Sequence, residues 1–284
     1  ELNINYEYNL EVNDILYKIK SLTPVKNKLI FIGIDGVRSD AHLISKVSYF
    51  QKLIDNEMCA FSFYHKSIKE TYSAASWTSI LTGLKPKKHK IKSNKQIEDK
   101  NLNLNYSTFI DILVDFIGIS CTSYISSWSG IYNILKNSSW KTNFYRNRIN
   151  PDKDVDKYDT KIKEKFVNDI KNNNINDINF LYFMNVDQTG HDYGFSPNNK
   201  EYGNSIKTSM KYCKEIIKEI KKKQKENLDE DWLIVITSDH GGMSKKYMSD
   251  KLKKDYFDKY EKDINDKGTH GLKIPSNLYT ILYL

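Results

Sequence analysis

Residues 233–242, LIVITSDHGG, form a short apolar run that stops at an aspartate and a histidine. The first five residues are sufficient for one buried β-strand. Asp239 and His240 follow this run directly, and both side chains are common ligands of metal ions. In open α/β sheets, ligands bind at the carboxyl ends of the strands. This stretch therefore predicts a buried strand with a ligand site at its end.

Two earlier apolar runs also end in an aspartate. Residues 29–34 precede Asp35, and residues 178–186 precede Asp187. Three histidines follow these acids in the chain, namely His191, His240 and His270. Because the carboxyl ends of parallel strands share one edge of a sheet, we expect all six side chains in loops at that edge.

The rest of the chain alternates between helix and strand patterns. We predict helices over residues 14–19, 44–56, 71–83, 108–116, 161–171 and 205–226. Further strands are expected at residues 61–65, 117–125 and 278–284, and residues 141–160 have the polar composition of a loop. The alternation predicts an α/β fold whose mostly parallel sheet is covered on both faces. No repeat or linker interrupts it, so residues 1–284 are expected to form one domain with its core from about residue 29.

Composition narrows the function classes. The 284 residues are 39% hydrophobic and 28% charged, as in a globular protein with a full core. No apolar run approaches the roughly 20 residues that span a bilayer, so no transmembrane segment is expected. The net charge of +8 accompanies a general abundance of lysine, and no nucleic-acid polymer is expected as a partner. A basic surface still attracts small anionic substrates.

The mixture of three carboxylates and three imidazoles suits Zn²⁺, with Mn²⁺ or another divalent ion as the alternative. Six side chains are enough for two ions with three protein ligands each. Such sites keep open coordination positions for a substrate. The three cysteines are far apart and form no cysteine-rich zinc pattern.

Four motifs, each at a strand end, resemble those of the alkaline phosphatase superfamily in the same order. They are Asp35-Gly36, Asp187-x-x-Gly190-His191-x-x-Gly194, Ser238-Asp239-His240-Gly241 and His270-Gly271. Within that superfamily the chain is similar to the type I phosphodiesterase/nucleotide pyrophosphatase branch from about residue 29 to residue 284. The resemblance implies an alkaline-phosphatase-like three-layer α/β/α sandwich and two zinc ions. Asp187, His191 and His270 would hold one ion, and Asp35, Asp239 and His240 would hold the other.

The resemblance also implies a serine or threonine nucleophile at the start of a helix. Counting back from Thr82-Gly83 without a gap places Ser73 at that position, and Thr71 is the alternative. A helix N-terminus favours an alkoxide and a bound phosphate because it carries free N–H groups and partial positive charge. Either hydroxyl could instead be an ordinary helix cap. The accompanying metal ligands favour Ser73 as the nucleophile.

Three residues are predicted to contact substrate. Asn94 lies where the family has an asparagine that donates to the phosphoryl group, five residues after His89. Tyr193 lies inside the second motif, and Trp128 resembles an aromatic residue near a nucleobase.

The sequence also departs from the family pattern in two places. Lys90 replaces a glycine in the turn after His89. Ala74 and Ala75 replace the aromatic residue and the proline that usually follow the nucleophile, so one wall of a base pocket is missing.

These observations predict a metal-dependent phosphodiesterase or pyrophosphatase that acts on a small phosphorylated substrate, either a nucleotide or a diester like a phospholipid head group. A phosphoethanolamine or phospho-group transferase, and a phosphomonoesterase, are alternatives within the superfamily. A catalytically inactive metal-binding interaction domain is the alternative of another class. The family resemblance favours a secreted, periplasmic or lumenal location, which the residues themselves leave undecided.

Overall fold

The computed structural model describes residues 26–45, 48–56, 58–69, 71–98, 104–135, 140–145, 154–227, 229–260 and 267–284. The helix predicted at residues 14–19 lies outside these ranges.

A seven-stranded sheet forms the centre of the described structure, in the order β2-β9-β6-β1-β5-β3-β4. Its strands are β1 (Lys26–Ile34), β2 (Phe61–Lys66), β3 (Cys121–Ser126), β4 (Lys141–Tyr145), β5 (Ile178–Phe183), β6 (Glu230–Thr237) and β9 (Tyr279–Tyr283). The five strands from β6 to β4 run parallel, whereas β9 is antiparallel to both β6 and β2. A second sheet of two short strands pairs β7 (Met243–Ser244) with β8 (Gly268–Thr269). The mostly parallel sheet is as predicted.

Helices cover both faces of the large sheet. They are α1 (Ser39–Ile44), α2 (Ser48–Asp55), α3 (Ser73–Thr82), α4 (Pro86–His89), α5 (Asn94–Glu98), α6 (Phe109–Ile117), α7 (Ser129–Leu135), α8 (Val155–Lys171), α9 (Asn185–Tyr193), α10 (Lys200–Glu226), α11 (Asp250–Tyr260) and α12 (Pro275–Leu278). None of the described helices is both long and apolar enough to cross a membrane.

Two predicted elements differ from the structure. The helix expected at residues 44–56 is present as α2, but Ile44 is the last residue of α1, where Ser45 donates from its backbone N–H and its hydroxyl to the carbonyl of Ala41. The expected loop at residues 141–160 contains β4 and the start of α8. Its polar composition hid both elements: β4 is a half-buried edge strand, and edge strands commonly carry polar residues.

The central strand β1 shows how the three layers form. Alternate side chains of a strand point to opposite faces of the sheet. Ile30, Ile32 and Ile34 therefore join one core with α8 and α10, while Leu29 and Phe31 join a second core with α3, α6 and α7. The three-layer α/β/α sandwich is confirmed. Because β1 lies between β5 and β6, the chain segments that follow these three strands emerge side by side at one edge.

Candidate active site

Three buried aspartates follow the three central strands, as predicted. Asp35 continues β1 and donates from its backbone N–H to the carbonyl of Phe183 at 2.9 Å. The backbone N–H of Gly36 donates to Oδ1 of Asp239 at 3.2 Å. Gly36 has a φ of +75°, and a Cβ there would lie 2.7 Å from Cα of Asp187. The glycine after Asp35 is therefore required for the close approach of the Asp187 backbone.

Asp187 and His191 lie on helix α9, so their expected placement in a loop was wrong. The helix begins directly after β5 because Asp159 of α8 accepts hydrogen bonds from the backbone N–H groups of Met184 and Asn185 at 3.1 and 2.9 Å. These are N–H groups that a helix start leaves without an internal partner. The spacing of four residues puts Asp187 and His191 on one helix face, with Nε2 to Oδ2 at 3.5 Å.

Two histidines bridge the carboxylates. His240 places its Nε2 3.4 Å from Oδ1 of Asp35 and 3.3 Å from Oδ2 of Asp239. The His270 ring stacks on the His240 ring with 3.8 Å between centroids. Its Nε2 lies 3.9 Å from Oδ1 of Asp187. All six predicted side chains are thus in one connected cluster.

The three histidines make the same kind of hydrogen bond. Their Nδ1 atoms lie within hydrogen-bond distance of backbone carbonyls: His191 with Gly268 at 3.0 Å, His240 with Gly241 at 2.8 Å, and His270 with Thr71 at 2.7 Å. An Nδ1–H donated to a carbonyl fixes the tautomer and leaves Nε2 with a free lone pair. This is the arrangement that metal-binding histidines usually have.

Two groups of side chains can each hold a cation, since their ligand atoms lie within 4.8 Å of one another. They are Asp35, Asp239 and His240, and Asp187, His240 and His270. The first group is the predicted set. The second group contains His240 where the resemblance implies His191. His191 lies next to Asp187, with its Nε2 3.5 Å from Oδ2.

A second observation indicates that the cluster can hold cations. Oδ1 of Asp187 and Oδ2 of Asp239 are fully buried, and neither has a hydrogen-bond partner among the described residues. Burying such an oxygen without a partner is costly. A divalent ion in each group would satisfy these atoms.

The pKa values of the cluster indicate that it would stabilise a bound cation. Burial and the nearby Asp187 carboxylate raise the pKa of Asp35 to about 7. Burial and the charge of Asp35 raise the pKa of Asp239 well above its usual value. Burial lowers the pKa of His240 to about 4, so its imidazole is neutral at pH 7. A divalent cation binds neutral imidazoles, and it stabilises the negative charge of carboxylates that lie close together.

Ser73 and Thr71 occupy different environments. Ser73 is the first residue of α3, and its Oγ lies 2.9 Å from Nε2 of His240 and 3.4 Å from Oδ1 of Asp35. The hydroxyl of Thr71 donates to the carbonyl of Leu272 at 3.1 Å and accepts from the N–H of Gly271 at 3.0 Å. Ser73 therefore faces the cluster, whereas Thr71 holds the loop that carries His270.

Asn94 lies beside Ser73 at the start of α3. Its amide oxygen accepts a hydrogen bond from the backbone N–H of Ala74 at 3.1 Å. The oxygen is therefore engaged with the helix, and the NH₂ group remains as the donor of this side chain.

The other two predicted contacts are aromatic residues whose described partners are not among the six side chains of the cluster. Tyr193 is half-exposed at the end of α9, with the ammonium of Lys267 5.3 Å from its ring centroid. Trp128 donates from its indole N–H to Glu98 at 3.0 Å, and its ring centroid lies 6.3 Å from that of Tyr182.

Two aromatic residues in the cluster were not predicted. Oδ2 of Asp35 accepts from the indole N–H of Trp77 at 2.9 Å and from the hydroxyl of Tyr182. Trp77 reaches this position across β1, where a Cβ on Gly33 would lie 2.4 Å from the indole ring. A glycine inside a buried strand signals such a close approach, and Trp77 lies on the same helix face as Ser73. Both signals were present in the sequence.

Comparisons with known proteins agree with this architecture. The sequence profile of the type I phosphodiesterase/nucleotide pyrophosphatase family matches residues 29–278. Murine ectonucleotide pyrophosphatase/phosphodiesterase 5 is similar in structure, with a TM-score of 0.59 and 15% identity over 90% of this chain and 87% of that one. An inactive threonine-to-alanine variant of it, in complex with AMP, has a TM-score of 0.60, again at 15% identity and with the same coverage of both chains.

A bacterial structure is also similar. Phosphonoacetate hydrolase from Sinorhizobium meliloti 1021, in complex with phosphonoformate, has a TM-score of 0.54 and 14% identity over 84% of this chain and 62% of that one. No curated protein sequence matches the chain. At these identities the structural likeness shows the fold alone, and the profile match shows the family.

Proposed function

The chain belongs to the type I phosphodiesterase/nucleotide pyrophosphatase family and is a phosphohydrolase; from this premise we propose that Ser73 is its nucleophile and that two divalent cations, zinc by preference, assist it. We further propose that the chain is one catalytic domain with its core at about residues 29–284, because the three aspartates follow neighbouring strands of one sheet and the three histidines lie against them.

One observation supports Ser73 as the nucleophile more strongly than any other. Ser73 Oγ lies at the N-terminus of α3 and within 3.4 Å of two members of the metal-ligand cluster. The partial positive charge of a helix N-terminus stabilises an ionised hydroxyl and a bound phosphoryl group. A hydroxyl that only capped the helix would need no such contacts with Asp35 and His240.

The proposed cation sites start from the two groups of side chains, with His191 in the place of His240 in the second group. Asp35, Asp239 and His240 would hold one ion, and Asp187, His191 and His270 would hold the other. A bound divalent ion acts as a Lewis acid that lowers the pKa of a nearby hydroxyl and offsets negative charge on phosphoryl oxygens. Trp77 and Tyr182 orient Asp35 by holding its Oδ2, so that Oδ1 faces Ser73.

The reaction at Ser73 is a double displacement. Its Oγ forms a bond to phosphorus and gives up its proton to solvent water, while the bond from phosphorus to the leaving oxygen breaks and that oxygen takes up a proton from solvent. Water then cleaves the phosphoserine ester and regenerates the hydroxyl. Asn94 donates from its NH₂ group to a phosphoryl oxygen, as a preorganised donor that stabilises developing charge.

We propose a nucleotide or a similar small diester as the substrate class. The fold neighbour in complex with AMP supports a nucleotide. Trp128 would lie near a base, because its ring packs towards Tyr182, which contacts Asp35. Tyr193 would lie at the edge of the substrate site, because it is two residues beyond His191.

Diesters are expected to react faster than monoesters. With zinc bound, we expect kcat/KM for bis-p-nitrophenyl phosphate to exceed that for p-nitrophenyl phosphate by at least about tenfold, because a monoester dianion needs one more cation at the reacting phosphorus. The contacts described for Ser73 Oγ come from Asp35 and His240, and neither supplies that cation. Initial rates on both substrates with the same enzyme preparation measure the ratio. A ratio below one would identify a monoesterase.

Trp77→Phe is expected to weaken zinc binding by about tenfold, because lost hydrogen bonds to a ligand typically cost 10- to 100-fold in affinity. The substitution removes the N–H that holds Asp35, together with the distal ring atoms that contact Gly33. Calorimetric titration of the metal-free protein with zinc measures the change.

A matched control distinguishes this effect from a general loss of an indole. Trp140 donates from its indole N–H to Ser123 Oγ at 2.7 Å, outside the cluster. Trp140→Phe should leave zinc affinity at the wild-type value. Equal affinity in Trp77→Phe and wild type would remove the orienting role of Trp77.

A further inference from the structure

Phe195 is an aromatic residue that lies directly behind helix α9. Its side chain is completely buried. The helix ends at Tyr193, and Gly194 follows with a φ of +101°, a conformation that favours glycine. The Phe195 ring lies against the last turn of the helix, because a Cβ on Gly190 would be 2.3 Å from its Cε1 atom. The chain therefore turns back on itself and brings this ring against α9.

Two further glycines lie against the same ring. A Cβ on Gly242 would be 2.3 Å from Cγ of Phe195, and a Cβ on Gly268 would be 2.7 Å from its Cδ2 atom. None of these two glycines and Gly190 has a positive φ, so the backbone conformation does not require glycine at the three positions. The space that the ring occupies requires it, since a buried ring cannot move aside for a methyl group.

The three glycines belong to the three segments that supply the histidines of the cluster. The segments are Gly190-His191, His240-Gly241-Gly242 and Gly268-Thr269-His270. They come from separate parts of the chain and meet at one aromatic ring. A change in the position of that ring would therefore be felt in all three segments.

The Phe195 ring also faces two of the imidazoles directly. Its centroid lies 5.4 Å from that of His191 and 6.3 Å from that of His270, with an interplanar angle of 83° in both pairs. Edge-to-face contacts of this kind are favourable between aromatic rings. Gly268, which packs on the ring, has its carbonyl 3.0 Å from Nδ1 of His191. The ring thus supports both imidazoles and the carbonyl that orients one of them.

The backbone of Phe195 is held in place by Arg38, which lies three residues after Asp35. The guanidinium donates from Nη1 to the carbonyl of Phe195 at 2.7 Å and to the carbonyl of Gly242 at 3.2 Å. Asp40 orients the guanidinium by accepting from its Nε at 2.9 Å and from its Nη2 at 2.6 Å. Both the main chain and the side chain of Phe195 are therefore fixed relative to the cluster.

From these contacts we propose that Phe195 is a positioning residue: its ring sets the place and orientation of His191 and His270 and so determines how tightly their cation is bound. This inference rests on the proposed function. Loss of a group that supports a metal-binding histidine typically lowers metal affinity by about 10- to 100-fold.

The effect should fall mainly on one of the two ions. Among the described residues, the rings in contact with Phe195 are those of His191, His270 and Tyr202, and the ring of His240 is not one of them. The ion that His240 would hold with two aspartates should therefore keep most of its affinity.

The test compares two equally buried phenylalanines. Phe195→Leu removes the ring atoms that approach Gly190. Phe166→Leu makes the same change on α8, where the ring is also completely buried and has its described ring contact with Tyr124. Both variants should have a lower melting temperature because of the cavity that they leave. Only Phe195→Leu should change zinc binding.

Calorimetric titration of the metal-free proteins with Zn²⁺ measures the two binding steps. We expect Phe195→Leu to weaken one step by at least about tenfold and to leave the other within about twofold of wild type. Phe166→Leu should keep both steps. Unchanged affinity in Phe195→Leu, an equal loss in both steps, or an equal loss in the control would overturn the proposal. If the leucine variant does not fold, Phe195→Met replaces it, because methionine fills irregular space without a ring.

A compensating substitution tests the contact between the ring and the helix. Gly190→Ala alone should be destabilising, because its Cβ would overlap the ring. In Gly190→Ala/Phe195→Leu the methyl group occupies part of the space that the ring leaves. The double variant should therefore melt at least about 2 °C above Gly190→Ala. A double variant that melts no higher would contradict the packing on which the proposal rests.

The zinc titrations also separate this proposal from its premise. If the wild-type protein binds zinc and hydrolyses no phosphate ester, the proposed function fails while the comparison of Phe195→Leu with Phe166→Leu still decides the role of Phe195. If the wild type binds zinc and is active but Phe195→Leu has wild-type affinity, only the positioning role fails. If the wild type binds no zinc, the cation sites and the positioning role fail together.

Discussion

Ser73→Ala is expected to lower kcat for bis-p-nitrophenyl phosphate by at least about 1,000-fold, the scale seen when a covalent nucleophile is removed. The methyl group leaves the cations and Asn94 in place, so substrate binding should change much less than turnover. Acid-quenched wild-type enzyme should yield a phosphorylated peptide that contains residue 73. The variant should yield none.

A second serine on the same helix provides the control. Ser76 is buried on α3, and its Oγ lies 3.3 Å from that of Ser67, outside the cluster. Ser76→Ala should fold like Ser73→Ala and retain the turnover of the wild type. Comparable melting temperatures for the two variants would show that Ser73→Ala loses chemistry and not structure.

Thr71→Val separates the two candidate nucleophiles. Because Thr71 bonds to Gly271 and Leu272, the valine should lower the melting temperature while phosphorylation of Ser73 is retained. Turnover that persists in Ser73→Ala and vanishes in Thr71→Val would transfer the nucleophilic role to Thr71.

Removal of metal is expected to abolish turnover and to lower the melting temperature by at least about 5 °C, since a ligand at 100 times its Kd contributes about 2.7 kcal/mol. The physical reason is the crowding of Asp35, Asp187 and Asp239, all of which are buried. Chelation followed by scanning calorimetry measures the change. Added Zn²⁺ should restore activity and stability together.

The loss of stability should grow as the pH rises through 7, the raised pKa of Asp35, and should level off once that carboxyl group is ionised. In the metal-free protein the pKa of Asp35 is raised to about 7, so its folded state binds a proton that the unfolded state releases near pH 4. Stability from that proton is lost as the pH rises through 7, and the raised pKa of Asp239 acts in the same direction. The lowered pKa of His240 acts below pH 6.5, outside this window.

The difference in melting temperature between zinc-loaded and metal-free protein should therefore be larger at pH 8.5 than at pH 7. Asp187→Asn, which removes one of the three charges, should show a smaller difference and a weaker dependence on pH. Identical melting temperatures with and without metal would contradict the proposed cation sites.

Local sequence patterns were a good guide to the large elements. The apolar run at residues 178–183 predicted a buried strand, which is present as β5, and α10 has apolar residues at helical spacing over most of its length. Patterns failed where tertiary contacts decide the local structure. Asp187 lies in a helix because a carboxylate of α8 caps its start, and Asp159 is 28 residues away in the chain.

The layered fold and the residue types of the cluster could be predicted from local patterns, because buried strands require continuous apolar runs and the motifs follow the strand ends. How those residues associate depends on the packing of the folded chain. That packing placed His240 between both groups, directed Ser73 and not Thr71 at the cluster, and brought Trp77 across Gly33 to Asp35. These contacts join residues far apart in the chain, and their geometry depends on how helices pack on the sheet, which no local pattern specifies.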